Sequence, residues 1–341
     1  MSLRATTFLF AAAAGLGLLA LPRVAHAQDE RSPVVTGDTP LPFAYNYGEV
    51  DTTRSGAMSG ALRATGYSTT APFLNPALMT FSKVYHMEAF GEVTPEYGRM
   101  VFGSTIVDSV TTKLAGGTSV SGGFLDSFSD PATSVDRTWV DVRLALAYPI
   151  VDEFSVGIAG RYMKLSEGGT GPLGASKVSG GQQDPEGDGR LDIVNIPTFD
   201  AGIAIKAGDL VRIGISGQNL TYMNDGILPT IVGGGIGIAH PSFTVEVDAV
   251  ADLTSYGSPT ARLMLGGEYL IKDMVPIRVG YRWDQGADSH QISAGLGYNS
   301  PEFKIEASVR RTVFGPESTE VIFGAAYHLD SSGLTGQGEE F

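Results

Sequence analysis

The sequence predicts an all-β protein, an antiparallel transmembrane β-barrel of about 14 strands. From residue 136 onward, apolar and polar residues alternate with a period of two in segments of about ten residues, the length of a tilted membrane-spanning strand. Short and longer links alternate between these segments, as turns and loops do at the two ends of such a barrel. The chain also contains 45 glycines, which disfavour helices because each one costs a helix about 1 kcal/mol.

The first 27 residues have the pattern of an export signal. Arg4 precedes an uncharged apolar run at residues 8–21, and Ala25–Ala27 supply the small residues of a cleavage site. The alternative is a transmembrane anchor, which needs about twenty apolar residues. We therefore expect a signal peptide at 1–27 and a mature chain that begins at Gln28.

Composition narrows the classes of protein that remain. The chain has no cysteine, which removes disulfides, thiolate chemistry and cysteine-bound zinc. Its formal charge of −14 argues against nucleic acid as a partner. Together with the strand pattern, the export signal predicts a location in the outer membrane of a Gram-negative bacterium, with membrane lipid as a partner.

The strand prediction rests on alternation that recurs between turn signals. In residues 303–310, FKIEASVR, apolar residues occupy the odd positions and mostly polar ones the even positions. A soluble β-sandwich also alternates, but its buried face would not carry so many Arg and Glu residues. The fourteen predicted strands span residues 82–93, 97–107, 110–121, 136–148, 152–165, 196–206, 209–219, 229–239, 242–251, 260–271, 274–284, 289–298, 301–313 and 319–329. The barrel domain is thus 82–329, followed by a polar tail at 330–341.

The face opposite the apolar one would line the lumen and carries seven cations and seven carboxylates. One interpretation is a lattice of ion pairs that fills a narrow barrel, since an unpaired buried charge is costly. The other is a polar track along which a ligand or ion moves. The balance of signs argues against a strongly ion-selective pore. The predicted luminal charges are Arg143, Arg161, Arg212, Arg262, Arg278, Arg282, Arg310, Asp141, Asp200, Glu246, Asp248, Glu268, Asp284 and Glu306.

A kinked apolar segment, PFLNPALMT at residues 72–80, precedes the first predicted strand. Its two prolines, the second preceded by Asn75, exclude a long regular helix or a central strand. The surrounding residues 54–90, with small residues leading into Asn75, Pro76 and Ala77, resemble the start of FadL-type outer-membrane transporters of hydrophobic compounds. They also resemble the related PorV-like barrels of type IX secretion.

This resemblance implies a fourteen-stranded barrel whose N-terminal segment, here 28–81, folds into the lumen as a plug. Asn75, Pro76 and Ala77 would be the plug motif. Irregular backbone is tolerated at membrane depth where protein or water surrounds it, so a non-helical plug inside the lumen is compatible with a membrane barrel. The alternative is a periplasmic tail that contains the tripeptide by chance.

An acidic stretch in the longest predicted loop has the spacing of a calcium-binding loop. Asp184, Glu186, Asp188 and Asp192 fall at positions 1, 3, 5 and 9, with a glycine at position 6. Position 12 is Asn195, where a bidentate Glu would be expected. Calcium is therefore the only candidate cofactor, and a solvated acidic loop is the alternative.

Motifs for catalysis are lacking. His86, His240, His290 and His328 lie in no HExxH motif, and the sequence contains no GxSxG. We therefore expect a protein that is not an enzyme, although a barrel-embedded hydrolase with Ser and His on adjacent strands stays open.

Two functions are compatible with these features. The first is passive uptake of a hydrophobic small molecule, such as a fatty acid, that meets the plug and leaves through a gap in the wall. The glycine run VGGGIG at 232–237 is the candidate gap, since glycine runs weaken a strand ladder; packing of this strand against the plug is the alternative. The second function is a PorV-like anchor or shuttle for secreted or surface proteins.

Overall fold

The computed structural model describes residues 49–126, 136–167, 194–221, 228–256 and 258–329. The predicted signal peptide at 1–27 and the polar tail at 330–341 lie outside these residues and stay predictions, as do the domain boundaries. Within the described part of the chain, no helix has the length and apolar character needed to cross a membrane.

Fourteen antiparallel strands form one closed barrel, in which each strand pairs with its neighbours in sequence and β1 pairs with β14. The fold class and the strand number predicted from the alternating pattern are thereby confirmed. The strands are β1 (Tyr85–Thr94), β2 (Arg99–Asp108), β3 (Ala115–Asp126), β4 (Asp136–Val151), β5 (Phe154–Glu167), β6 (Val194–Ala207), β7 (Val211–Gln218), β8 (Ile231–His240), β9 (Phe243–Asp252), β10 (Thr260–Ile271), β11 (Val275–Asp284), β12 (Ser289–Asn299), β13 (Phe303–Phe314) and β14 (Thr319–His328).

The predicted position of β3 was wrong by several residues. The prediction began it at residue 110, whereas the strand begins at Ala115. The threonine-rich stretch before it is a turn, because the Asp108 carboxylate accepts hydrogen bonds from the backbone N–H groups of Val110 (3.0 Å) and Thr111 (3.1 Å). Such an Asx turn competes with strand formation through purely local contacts.

The two faces of the wall differ as the alternation predicts. On β4, Trp139, Asp141 and Arg143 are buried in the lumen, while Leu144 on the outer face is 64% exposed. Large apolar side chains similarly cover the outside of the other strands. Because no core lies outside a closed barrel, an apolar exterior of this kind is a lipid-facing surface.

Short helices fill the lumen ahead of β1. They are α1 (Thr53–Ala57), a 3₁₀ helix at Ser68–Thr70, α2 (Ala71–Leu74) and a second 3₁₀ helix at Pro76–Phe81. We call residues 49–84 the plug. A further 3₁₀ turn, Pro95–Tyr97, joins β1 to β2.

Candidate functional site

The plug runs the length of the lumen. We call the end of the barrel at which β1 begins the turn end, since most of the shortest links lie there, and the opposite end the loop end. Glu49 binds Arg262 and Arg282, which lie toward the loop end of β10 and β11. Thr80 donates a hydrogen bond to Ser155 (2.8 Å), beside the turn-end start of β5. The chain therefore descends from the loop end to the turn end before it enters β1.

Asn75 makes the kink in the plug. Its backbone is extended (φ −156°, ψ 99°) between the two short helices, and its side-chain oxygen accepts the N–H of Ala77 (3.2 Å). Its amide nitrogen donates to the carbonyls of Arg63 (2.9 Å) and Ile203 (3.0 Å). One fully buried side chain thus caps a helix, ties two parts of the plug together and fixes the plug to β6.

The rest of the plug motif rests on a wall of small residues. Ala77, Leu78 and Met79 pack against alanines of β3 to β6 at the turn end. At Gly157 on β5, an added Cβ would clash with the backbone of Pro76 and Ala77. The absence of side chains at this level of the wall makes the space that the 3₁₀ helix Pro76–Phe81 occupies.

Charged plug residues pair with the opposite side of the wall. The Arg282 guanidinium donates to both oxygens of Glu49 (2.8 and 3.1 Å), and Arg262 adds a third hydrogen bond (3.2 Å). Burial alone would raise the pKa of the Glu49 carboxyl, but Arg282 and Arg262 more than offset this and hold that pKa well below its usual range. Glu49 is therefore ionised and bridges two cations.

Two more ion pairs join α1 and its flanking residues to the wall. Asp51 lies 2.7 Å from the Arg310 guanidinium, and Arg54 lies 3.0 Å from Glu268. All four side chains are buried or nearly so. Removing one member of such a pair would leave an uncompensated buried charge, which is strongly destabilising.

A second charged group spans β4 to β6 at mid-height. Asp141 accepts hydrogen bonds from Arg143 (3.1 Å) and Arg161 (2.5 Å), and Arg143 lies 3.6 Å from Asp200. Arg161 also donates to Asn219 (2.7 Å). We call these residues the mid-height belt.

All predicted luminal charges except Arg212 make ion pairs or hydrogen bonds inside the lumen. Arg278, for example, lies 2.7 Å from Glu306, and Arg262 lies 3.0 Å from Asp284. Arg212 has the luminal position in its strand, but it sits beside the β6–β7 turn and donates to backbone carbonyls there. Its inclusion among the lumen charges was therefore wrong. The observed pairing is that of an ion-pair lattice.

Sequence reasoning missed several members of this lattice. Lys304, Glu88, Glu92, Glu320 and Asp252 are wall residues with partners in the lumen. For Lys304 on β13 and Asp252 on β9, luminal parity shared with predicted residues of the same strand could have identified them. The strands of Glu88, Glu92 and Glu320 carry no predicted luminal charge, so only the polar–apolar alternation within β1 and β14 indicated them. The plug residues carry no such signal, because the plug has no periodicity. The missed plug members are Glu49, Asp51, Arg54 and Arg63.

Apolar side chains fill the lumen above the mid-height belt. Trp139 and Met163 are fully buried there, and each lies two residues closer to the loop end along its strand than Asp141 and Arg161, respectively. Arg99 lies 5.6 Å from the Trp139 ring centroid. We call this group the loop-end cluster. It comprises Val101, Leu125, Trp139, Met163, Leu165, Val194 and Leu228, with Ile196 packed against it.

A small cavity lies between plug and wall at the level of the belt. Phe73 and Leu74 of the plug line it together with Arg161, Asn219 and Ile231, among others. Its volume of about 10 Å³ is about that of one water-sized sphere. This space suits a water molecule and not a drug-sized ligand.

The wall is not open at VGGGIG. Every residue of β8 pairs with β9, and Ile231 to Ile238 also pair with β7. The glycines instead make room for the plug, since an added Cβ at Gly237 would lie 2.6 Å from the Thr65 side chain. The prediction of a gap here was wrong, and the packing alternative is correct.

In the described residues, which omit 222–227 after β7, the regular ladder between β6 and β7 ends before the loop end. Pairing between β6 and β7 stops at Ala201 and Gly217, whereas β6 extends toward the loop end as far as Val194. One backbone hydrogen bond, from Leu220 to Phe199 (2.9 Å), continues beyond this point. Val194 and Ile196 of this stretch pack in the loop-end cluster.

The acidic stretch with Asp184, Glu186, Asp188 and Asp192 lies outside the described residues, so calcium binding there stays a prediction. In the described ranges, no group of three or more metal-ligating side chains occurs. His86 and His328 stack on each other at the β1–β14 seam, whereas His240 and His290 lie near opposite barrel ends.

Comparison with protein-family models finds no match, and neither does comparison with curated protein sequences. Solved structures do match. The toluene transporter TbuX of Ralstonia pickettii has a TM-score of 0.58 at 12% identity, covering 83% of this chain and 100% of TbuX. A FadL homologue of Pseudomonas aeruginosa has a TM-score of 0.61 at 13% identity, covering 84% and 99%.

The monoaromatic hydrocarbon channel CymD gives a TM-score of 0.59 at 12% identity, covering 83% of this chain and 98% of CymD. Similarity at this level of identity establishes the fold. The FadL-type resemblance predicted from the residues around Asn75 is confirmed at that level, while the PorV-like part stays a prediction. The chain has the fold of the FadL-type transporter barrels, with a plug inside fourteen strands.

Proposed function

We propose that this protein is an outer-membrane barrel for the passive uptake of small hydrophobic compounds. The observation that carries the proposal is the loop-end cluster, an apolar group on the luminal side of β2 to β6 that lies above the charged mid-height belt. Ligand sites are typically apolar with a few polar groups at their edge. The similar structures are of proteins named for toluene and monoaromatic hydrocarbons, which supports the same class of compound.

A compound in the loop-end cluster would not continue straight down the barrel. The mid-height belt and the plug lie beneath it, and transfer of an apolar molecule through buried charges is unfavourable. The end of the regular ladder between β6 and β7 borders the cluster. We assign the exit to this stretch of the wall.

Uptake by cells that carry the protein in their outer membrane tests the proposal. We expect Met163→Gln, which places an amide in the loop-end cluster, to reduce uptake of radiolabelled toluene about tenfold. The matched control is Met264→Gln, because Met264 is also a buried luminal methionine but lies outside the cluster. Equal uptake by the two variants at equal barrel abundance would contradict the proposal. The same uptake assay with palmitate decides whether the barrel carries aromatic hydrocarbons or fatty acids.

The second candidate is a PorV-like anchor or shuttle for secreted or surface proteins. The dense pairing of plug and wall favours it, because a lumen filled by ion pairs leaves little space for a ligand. Purification in mild detergent, followed by mass spectrometry and organic extraction, separates the two. A retained protein partner and no extracted hydrophobic compound would favour the anchor.

A further inference from the structure

Two carboxylates of β9 hold the least regular part of the plug. Asp248 accepts the N–H groups of Leu62 and Arg63, both at 3.1 Å. Glu246 accepts those of Ala64 (2.6 Å) and Thr65 (2.8 Å). Four consecutive backbone donors thus bind two side chains that are themselves fully buried.

The plug backbone has no substitute for these partners. Residues 63–65 lie between α1 and the first 3₁₀ helix, and in the described part of the chain their N–H groups make no hydrogen bond to a backbone carbonyl. Buried N–H groups without a partner are destabilising, because they lose their hydrogen bonds to water and gain none in the fold. The position of this segment therefore depends on the carboxylates.

The neighbouring strands are shaped for this contact. Gly235 and Gly237 of β8 pair directly with Asp248 and Glu246, and side chains there would collide with the carboxylates. Gly214 of β7 is equally constrained, since an added Cβ would clash with the Arg63 carbonyl. Three glycines on two strands thus make room for one segment of the plug.

We propose that Glu246 and Asp248 are positioning residues that hold residues 62–65 of the plug against β8 and β9. We call these two carboxylates the latch. Loss of the latch lets residues 62–65 withdraw from the wall. The latch is independent of the compound that the barrel carries. Its two members differ in a testable way. Glu246 uses both carboxylate oxygens, whereas Asp248 receives both N–H groups and the Arg63 guanidinium (3.3 Å) on Oδ2 alone.

Amide substitutions therefore have unequal consequences. A glutamine at 246 offers one acceptor oxygen for the two N–H groups of Ala64 and Thr65. Its NH₂ group, itself a donor, would face the N–H group that the oxygen does not accept. An asparagine at 248 retains the single oxygen that its partners need. We expect Glu246→Gln to loosen residues 62–65 much more than Asp248→Asn.

Thiol labelling measures this directly, because the chain has no cysteine of its own. The reporter is Ala61→Cys, fully buried next to the latched segment, and Tyr67→Cys, 40% exposed, serves as the accessible reference. The whole purified barrel in detergent micelles is treated with a water-soluble maleimide. We expect Glu246→Gln to raise the labelling rate at residue 61 by about tenfold or more and Asp248→Asn by less than threefold.

Glu306→Gln is the matched control, since Glu306 is also a buried luminal carboxylate but its ion-pair partners, Arg278 and Lys304, are both wall residues. A comparable rise in this control would overturn the assignment to the latch, as would unchanged labelling in Glu246→Gln. A merely structural role would lower the unfolding temperature of the barrel without exposing residue 61. If Glu246→Gln does not fold, Glu246→Asp keeps the charge but shortens its reach, and the same rise is expected. Labelling requires no transported compound, so its failure is distinct from failure of the uptake test.

Discussion

At the scale of single residues, Asn75 shows how one side chain determines the path of a buried segment. Its amide donates to a plug carbonyl and to a wall carbonyl, while its oxygen caps the 3₁₀ helix that follows. An aspartate has the same shape but cannot donate when ionised. The chemistry needed here is therefore that of an amide, with donors and an acceptor on one side chain.

We predict that Asn75→Asp destabilises the folded protein more than Asn75→Ala at pH 7, because a carboxylate would face two carbonyl oxygens. The alanine variant should lose roughly 1–3 kcal/mol for the unsatisfied groups. Guanidinium unfolding in detergent micelles measures both. Asn195→Ala is the control, since Asn195 is exposed and accepts a hydrogen bond from Tyr162 at the surface. Equal stability of the Asn75 and Asn195 variants would contradict the role assigned to Asn75.

At the scale of elements, the plug and the wall are complementary in size. The 3₁₀ helix Pro76–Phe81 lies where the wall presents alanine and glycine, whereas the larger loop-end cluster occupies the same strands where the plug is absent. Along β5 the luminal residues change from Gly157 and Ala159 through Arg161 to Met163 and Leu165. One strand thus contributes to helix packing, to the belt and to the candidate ligand site.

Two glycines of β5 test this complementarity. Gly157→Ala should displace the 3₁₀ helix and destabilise the protein by about 1–3 kcal/mol, as overpacking does. Gly160→Ala should be neutral or stabilising by up to about 1 kcal/mol, because Gly160 faces outward and an added Cβ meets nothing within 4 Å. The loss of the heat-stable folded band in gel electrophoresis gives both unfolding temperatures. A larger loss for Gly160→Ala would show that the wall is not shaped by the plug.

At the scale of the whole molecule, the lumen has two chemically different sides. Strands β9 to β14 carry most of the ion pairs to the plug, while β2 to β6 carry the small-residue wall and the loop-end cluster. The mid-height belt lies between the small-residue wall and the loop-end cluster. This division places the candidate ligand site on the side away from most of the plug's charges.

Single cysteines test the predicted orientation of the barrel in the outer membrane. Glu317→Cys at the loop end should react with an impermeant maleimide on intact cells, because loops face outward in such barrels. Asp152→Cys at the turn end should react only after the outer membrane is permeabilised. Both positions are exposed, so the difference measures sidedness. The reverse pattern, or equal labelling, would contradict the orientation.

Much of the fold was determined by the sequence alone. Alternation predicted fourteen strands because a wall between lipid and a polar lumen imposes a period of two on every strand, independent of its partners. The misplaced start of β3 shows the limit of periodicity, since Asp108 forms a local turn in a segment whose composition suits a strand. The residues around Asn75 indicated the plug through resemblance, not through any periodicity.

Tertiary structure decided which charges meet and what the glycines do. Alternation places Arg212 on the luminal face, but only its height in the barrel assigns it to a turn. Nothing in the sequence pairs the N–H groups of residues 62–65 with Glu246 and Asp248, which lie more than 180 positions later in the chain. Such contacts depend on where a non-periodic segment descends through the lumen, and the packing of the closed barrel sets that path.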